Sequence, residues 1–313
     1  MTVEHAVLSP PAGVRRDSAA AWAVAMRPRS LLVAIGPVLV GAALGYERTG
    51  SLDAVAAALV LGAALLMQLI TNLQNDVGYT VRGGDHSGTR FGLPHATANG
   101  WLRVGDVRMA IVLACGVAAA LGLALVAHRG WPVLAVGTAS LLAALAYMGG
   151  PRPIAYTPLG ELTVMVFFGI VAVTGTDWVL SGSVGTLSVL ASLAIGALAS
   201  AALALNDHRD IAHDRLVGRC TFAVWAAPIG SGRLYGGRLL APFALVPVMA
   251  WVGAAPALLL PLALLPEAWS LRRDFAGCTG RLAYNALLFR TFRMELWFVV
   301  LLSAGALASR IVA

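Results

Sequence analysis

The sequence predicts an all-α membrane protein, a polytopic bundle of about nine transmembrane helices with its N-terminus in the cytoplasm. Three observations carry this expectation. Of 313 residues, 59% are hydrophobic and only 12% charged, with a mean hydropathy of +0.80, whereas a soluble domain carries about 25% charged residues. Apolar runs long enough to cross a bilayer recur along the whole chain. Finally, once those runs are threaded through a membrane, nearly all basic residues fall on one side of it.

The elements follow in order. Residues 1–21 read as a cytoplasmic segment, polar and broken by Pro10-Pro11 and Arg15-Arg16, with no short apolar stretch of the signal-peptide kind. Residues 22–313 read as one transmembrane domain. Apolar runs bounded by turns and charges place spans at about 30–46, 54–75, 107–127, 131–148, 160–181, 185–206, 236–253, 255–271 and 294–312. Only Gly253-Ala254-Ala255-Pro256 divides the seventh from the eighth. With the N-terminus inside, 19 of the 22 basic residues lie inside and only Arg48, Arg129 and Arg310 outside, the asymmetry of the positive-inside rule. All 22 are arginine, which excludes a lysine nucleophile and suits bidentate binding of phosphate or anionic lipid. Cys115, Cys220 and Cys278 form no CxxC pair, so neither a disulfide framework nor a zinc site is expected.

Two segments repeat a pattern. After the second span the chain reads Asn72-Leu-Gln-Asn-Asp76, then Tyr79, Arg82, Asp85 and Arg90; after the sixth it reads Asn206-Asp-His-Arg-Asp210, then Asp214, Arg215 and Arg219. Four spans separate them, so both return to the same face and can flank one cavity. Five of the 15 acidic residues lie in these two segments. At helical spacing Asn72 and Asp76 are one turn apart, and Asp207, Asp210 and Asp214 fall on one stripe. Like charges stacked this way repel unless a cation offsets them, and hard carboxylate oxygens with room for phosphate suit Mg²⁺. The alternative is a solvated loop in which these acids pair with Arg209 and Arg215. No Walker motif or dinucleotide fingerprint appears.

These segments, together with Tyr147-Met-Gly-Gly-Pro-Arg-Pro-Ile-Ala-Tyr156-Thr-Pro-Leu-Gly-Glu161, resemble the UbiA superfamily of membrane prenyltransferases, and the middle one resembles its menaquinone branch. The resemblance runs from about residue 22 onward. It implies a UbiA-like bundle, Mg²⁺ as cofactor, and transfer of a polyprenyl group from an allylic diphosphate to an aromatic acceptor, 1,4-dihydroxy-2-naphthoate in the menaquinone branch. The implied setting is a bacterial inner membrane with a cytoplasm-facing site; membrane lipid is an expected partner and nucleic acid is not. Asp76, Asp85, Asp210 and Asp214 are the expected Mg²⁺ ligands, with Asn72 and Asn206 orienting or ligating beside them. Arg82, Arg90, Arg209, Arg215 and Arg219 are the expected diphosphate contacts. Relatives carry a further Asp at the position of Tyr79 and basic residues near His95 and Cys220; Tyr79 can instead donate a hydrogen bond to a diphosphate oxygen.

Other residues weigh less. Tyr147 and Tyr156 can line the acceptor pocket or act as interfacial belt residues. Glu161, an acid at the start of a span, is a functional candidate by default, whereas Asp177 falls near the outer surface. His95, His208 and His213 read as polar loop residues, since none makes a ligand spacing with another His or Cys. A secondary transporter would place its charges near the midplane rather than at helix ends, and an intramembrane terpene cyclase would share the diphosphate chemistry without an aromatic co-substrate.

Overall fold

The computed structural model describes residues 14–84, 92, 94–228 and 230–312. Asp85 and Arg90 lie outside the described residues. Among those described, every regular element is helical: α1 (Ala19–Met26), α2 (Leu31–Thr49), α3 (Ala54–Val81), α4 (Val104–Arg129), α5 (Trp131–Met148), α6 (Gly160–Val164), α7 (Gly175–Ser181), α8 (Thr186–Arg209), α9 (Ile211–Leu216), α10 (Phe222–Trp225), α11 (Ser231–Val252), α12 (Leu265–Ala276) and α13 (Arg281–Val312). A π-helical stretch, Met165–Thr174, joins α6 to α7 into one crossing. Eight of the described helical segments are long and apolar enough to cross a membrane, and the chain is an integral membrane protein.

The bundle is organised around α8. Its sequence is built from Ala, Ser and Gly, and most of its apolar window is buried. Lipid is as apolar as leucine, so helices in a membrane associate through close packing of small residues rather than by escaping water. A Cβ on Gly196 would lie 2.6 Å from the Met165 carbonyl oxygen, and one on Gly169 would lie 2.4 Å from the Ser192 carbonyl oxygen. Glycine at both positions therefore lets the π-helical stretch and α8 touch backbone to backbone. On the other side α8 packs against α11, where Tyr235, Leu239, Phe243, Val246 and Met249 enter the main core.

Several boundaries differ from the sequence expectation in ways that shape the site. The second span does not stop near 75 but runs to Val81, so Asn72, Asp76 and Tyr79 ride on the buried face of one helix. The expected continuous stripe of Asp207, Asp210 and Asp214 is broken: α8 ends at Asp210, whose φ and ψ of −99° and 8° leave the helical range, before α9 begins. Residues 253 and 254 do divide the seventh and eighth elements, with Ala254 in the left-handed region at φ 48°. The eighth is a 3₁₀ segment, Pro256–Leu264, followed by α12; Pro256 and Pro261 carry no amide hydrogen to donate to a regular α-ladder. The last helix starts at Arg281 rather than near 294, because Arg290 is neutralised by Glu267 and Asp274 of α12 at 3.1 and 2.6 Å.

At the opposite end of the bundle Asp177, fully buried, accepts from Arg48 Nη2 at 2.8 Å, from Ser181 Oγ at 2.9 Å and from the Gly185 amide at 2.8 Å. It is a tie between α7 and α2. That end also carries the chain's short turns at Gly50 and Gly130.

Candidate active site

The two repeated segments meet at the end of the bundle away from Asp177. Each contributes through a helix terminus, where the chain can leave the regular ladder and aim polar groups inward. Arg219, buried at 7% exposure, stands between them. Its Nη1 donates to the Tyr79 hydroxyl at 2.5 Å and to Asp214 Oδ1 at 2.7 Å, and its Nη2 donates to the Ala155 carbonyl at 3.1 Å. Asp207 Oδ1 lies 4.0 Å from Arg219 Nη2. Burial works against the Arg219 charge, but Tyr79, Asp214 and Asp207 outweigh it and hold its pKa above the usual guanidinium value. All three sequence segments are thereby joined: α3 through Tyr79, the 147–161 segment through Ala155, and the second acidic segment through Asp214 and Arg219.

The aromatic residues form the wall. Tyr79 stacks on His95 with ring centroids 4.7 Å apart and planes 19° from parallel. Arg82 and Arg219 both lie over the Tyr156 ring, at 5.7 and 5.5 Å. The Tyr156 hydroxyl is buried without a hydrogen-bond partner, and burial pushes its pKa up. A cavity of about 430 Å³ lined by Arg82, Arg152, Tyr156 and Thr157 opens beside it. Arg82 is itself braced against the α5 terminus, donating to the Met148 carbonyl at 2.7 Å and to the Gly150 carbonyl.

The structure gives different partners to the three expected metal ligands that it describes, Asp76, Asp210 and Asp214. Asp76 is fully buried, and both of its oxygens are engaged: Oδ2 accepts the Ala96 amide at 2.7 Å, while Oδ1 accepts the Thr97 amide at 2.9 Å and the Thr97 hydroxyl at 2.6 Å. It holds the turn that places His95 against Tyr79. Asp210 is paired with Arg209 through two contacts of 2.9 and 2.6 Å. Arg209 also donates to Asn206 Oδ1 and Asn285 Oδ1 at 2.8 and 2.7 Å, so Arg209, Asn206 and Asp210 together fasten the end of α8 to α13. Asn72 likewise serves as a tether, its Nδ2 donating to the Met26 carbonyl and to Ser30 Oγ, both at 2.8 Å. Arg215 is exposed. Asp214 alone of the three sits against Arg219, and Asp85 lies outside the described residues.

Asp207, absent from the expected ligand set, is therefore central. It is 4% exposed and its Oδ1 has no hydrogen-bond partner. Two buried carboxyl groups, Asp207 and Asp214, face the single guanidinium of Arg219, and a buried oxygen without a donor is costly unless something else satisfies it. Among the described residues no three acidic, histidine or cysteine side chains converge on one point. Two carboxylates with substrate oxygens completing the shell suit Mg²⁺, which commonly keeps only one or two protein carboxylates. The residues present therefore fit that ion. Of the histidines expected in loops, His95 lies in one but is buried, whereas His208 and His213 fall on α8 and α9, where His213 is buried and His208 packs on Phe275 and Tyr284. Glu161 is also buried, with Arg238 Nη1 2.5 Å from its Oε2. Arg238, missed as a site residue, was detectable as an arginine inside an apolar run with a single acid able to answer it.

Comparison with known proteins agrees with this layout. Residues 34–277 match the UbiA prenyltransferase family. The chain is 32% identical to the 1,4-dihydroxy-2-naphthoate octaprenyltransferase of Escherichia coli over 226 residues, covering 70% of this chain and 73% of that protein. It is 33% identical to the protein of the same name from Mycobacterium tuberculosis over 313 residues, covering 93% and 98%. A solved UbiA homolog from Archaeoglobus fulgidus, bound to DMAPP and Mg²⁺, superposes with a TM-score of 0.66 at 14% identity, covering 92% of this chain and 99% of that one. The apo UbiA homolog from Aeropyrum pernix gives 0.67 at 17% identity, covering 90% and 98%.

Proposed function

This chain belongs to the UbiA prenyltransferase family, and from that membership we propose that it transfers a polyprenyl group from an allylic diphosphate to 1,4-dihydroxy-2-naphthoate in menaquinone biosynthesis. The observation that carries the reading is the convergence of all three motif segments on Arg219, with the orphaned oxygen of Asp207 beside it. Identity to curated 1,4-dihydroxy-2-naphthoate octaprenyltransferases over most of the chain supports the choice of acceptor. The arginine asymmetry supports a bacterial inner-membrane setting with this end of the bundle in the cytoplasm.

In the proposed reaction the allylic C–O bond breaks, its electron pair leaves with pyrophosphate, a nucleophilic ring carbon of the acceptor bonds to the allylic carbon, and the ring regains aromaticity by releasing a proton, its carboxylate leaving as CO2 to give the naphthoquinol. The protein's part is electrostatic and steric. Asp207 and Asp214 hold Mg²⁺, which when bound neutralises diphosphate oxygens as they gain charge. Arg219, bonded to Asp214, adds fixed positive charge near the leaving group, and Arg82 and Arg152 receive the diphosphate in the cavity that they line with Tyr156. The Tyr156 hydroxyl, buried and lacking a partner, gains an acceptor when a diphosphate oxygen arrives. Tyr79 keeps the Arg219 guanidinium oriented, and the Tyr79, Tyr147 and Tyr156 rings face the developing cation with apolar, electron-rich surface and limit access of water. Asp76, Asp210, Asn72 and Asn206 hold the frame on which these groups are carried.

The test is incubation of the purified chain with prenyl diphosphates of several lengths and with aromatic acids, in Mg²⁺ or EDTA, followed by mass spectrometry of the lipid products. A prenylated naphthoquinol that forms only with Mg²⁺ and the naphthoate is expected. Diphosphate consumption that gives a hydrocarbon without acceptor would overturn the transferase reading.

A further inference from the structure

A second cavity lies on the other side of the tyrosine wall. It measures about 350 Å³ and is lined by Glu161, Met165, Ser200, Phe222, Trp225 and Arg238, with Leu159 and Leu162 at its rim. Its chemistry differs from that of the Arg82 cavity. The floor holds one ion pair, Glu161 with Arg238, and the walls are apolar or aromatic. Arg238 lies with its guanidinium carbon 5.0 Å over the Phe222 ring and is 23% exposed, so its remaining donors face the cavity. Glu161 is 3% exposed, and its Oε1 has no hydrogen-bond donor. Leu159, Leu162 and Trp225 are each more than half exposed. The opening thus faces the interfacial zone of the bilayer, where aromatic, amphipathic molecules concentrate.

We propose that this Glu161–Arg238 cavity is the binding site of the aromatic acid acceptor. The inference rests on the aromatic-acid reading above and adds where the acid sits and what selects it. An ionisable group inside a membrane span is costly and is a functional candidate by default, and this pair lines a cavity rather than closed packing. A hydroxylated aromatic carboxylate matches the cavity at each surface. Arg238 takes the carboxylate in a charge-assisted contact. Glu161 Oε1 accepts a ring hydroxyl, and the Phe222 and Trp225 rings cover the ring faces. Ligand pockets run from about 300 to 1,000 Å³, so a cavity at the lower limit admits a bicyclic acid and excludes a long isoprenoid tail. Glu161 also links the cavity to the reacting end. A Cβ added to neighbouring Gly160 would lie 3.7 Å from the Tyr147 hydroxyl, which puts the cavity next to the tyrosines of that end.

The experiment measures binding and turnover separately in the full-length, detergent-purified chain. The probe is 1-hydroxy-2-naphthoate, read by its own fluorescence anisotropy with no prenyl diphosphate present; 2-naphthol is the control that lacks the carboxylate. Arg238→Gln alone strands Glu161, so the principal variant is Glu161→Gln with Arg238→Gln, which removes both charges together. Trp225→Ala, at the exposed rim, is a second variant independent of the ion pair. The double variant is expected to weaken 1-hydroxy-2-naphthoate binding about 10- to 100-fold, the loss of one charge-assisted hydrogen bond. It should weaken 2-naphthol, which engages only the hydroxyl acceptor, by a smaller factor and leave the KM for prenyl diphosphate within about twofold, while Trp225→Ala weakens both aromatic probes. Unchanged naphthoate affinity and unchanged acceptor KM in the double variant would overturn the assignment. So would a rise in prenyl diphosphate KM instead, which would make the cavity part of the donor site. Charge-selective probe binding without any prenyl transfer would refute the proposed reaction and leave the cavity assignment standing, so the two failures are distinguishable.

Discussion

Asp76 and Asp207 should respond in opposite ways to the same isosteric change, because one carboxylate is committed to backbone amides and the other has an oxygen to spare. Asp76→Asn replaces one acceptor oxygen with an NH2 group that faces either the Ala96 amide or the Thr97 amide and hydroxyl, now 2.6 to 2.9 Å away and all donating. Hydrogen bonds to a charged acceptor contribute about 1.5–3 kcal/mol, and a buried donor left facing a donor adds a desolvation cost of about 1–3 kcal/mol. The substitution should therefore cost roughly 2–5 kcal/mol of stability and loosen the His95 turn. Its residual turnover should keep the wild-type apparent Mg²⁺ affinity. Asp207→Asn alters a buried carboxyl whose Oδ1 has no donor and lies 4.0 Å from Arg219 Nη2. It should leave stability within about 1 kcal/mol, since a poorly compensated buried carboxyl contributes little, while raising the Mg²⁺ concentration for half-maximal activity about tenfold or more. Thermal unfolding in detergent together with Mg²⁺ titration of turnover reads both. A stable Asp76→Asn variant with weakened Mg²⁺ dependence, beside a normal Asp207→Asn variant, would refute the assignment of the two roles.

Three further outcomes are expected. Tyr79→Phe deletes the hydroxyl that accepts from Arg219 at 2.5 Å and should raise the KM for prenyl diphosphate with a barrier effect of about 0.5–3 kcal/mol; an Asp at the same position faces Arg219 and should retain activity, and steady-state kinetics of the two variants check this. Gly196→Val forces a branched side chain into a place where even a Cβ would sit 2.6 Å from the Met165 carbonyl, so melting in detergent should show a loss of about 1–3 kcal/mol or more, as overpacking does. Cysteines introduced at exposed Arg215 and at Ser51, in a background lacking the three native cysteines, should react with an impermeant thiol reagent from the cytoplasmic and the outer side respectively. Labelling with the two sides exchanged would reverse the proposed orientation, and labelling of both from one side would refute the topology.

Much of the architecture was legible from one-dimensional features. Apolar run length reflects a solvent requirement, that every backbone amide crossing lipid be paired within its own helix. The spans at 54–75, 131–148, 160–181 and 185–206 accordingly lie on helices found in the structure. The break at 253–256 was legible for the same reason, as a Gly and Pro interruption of an apolar run. The start of α13 was not, because Arg290 and Arg293 read as loop until Glu267 and Asp274 of another helix are seen to neutralise them.

The candidate site divides in the same way. By itself the sequence determined which residue types gather at one end of the bundle, and it raised the expectation of a metal-and-diphosphate chemistry, because charge in a membrane protein is scarce and its spacing shows on the page. It could not determine the role of each acid. Asp76, Asp207, Asp210 and Asp214 are alike in one dimension, and the partners of three of them lie 21 residues away at Thr97, 1 residue away at Arg209, or 5 residues away at Arg219, which is itself held across the bundle by Tyr79 and Ala155. Only the tertiary structure decided that Asp76 holds a turn, that Asp210 is neutralised, that Arg219 bridges the motifs and that Asp207 keeps an unpaired oxygen. A carboxylate's chemistry is set by the donors around it, and those donors are brought together by helix packing rather than by neighbourhood in the chain.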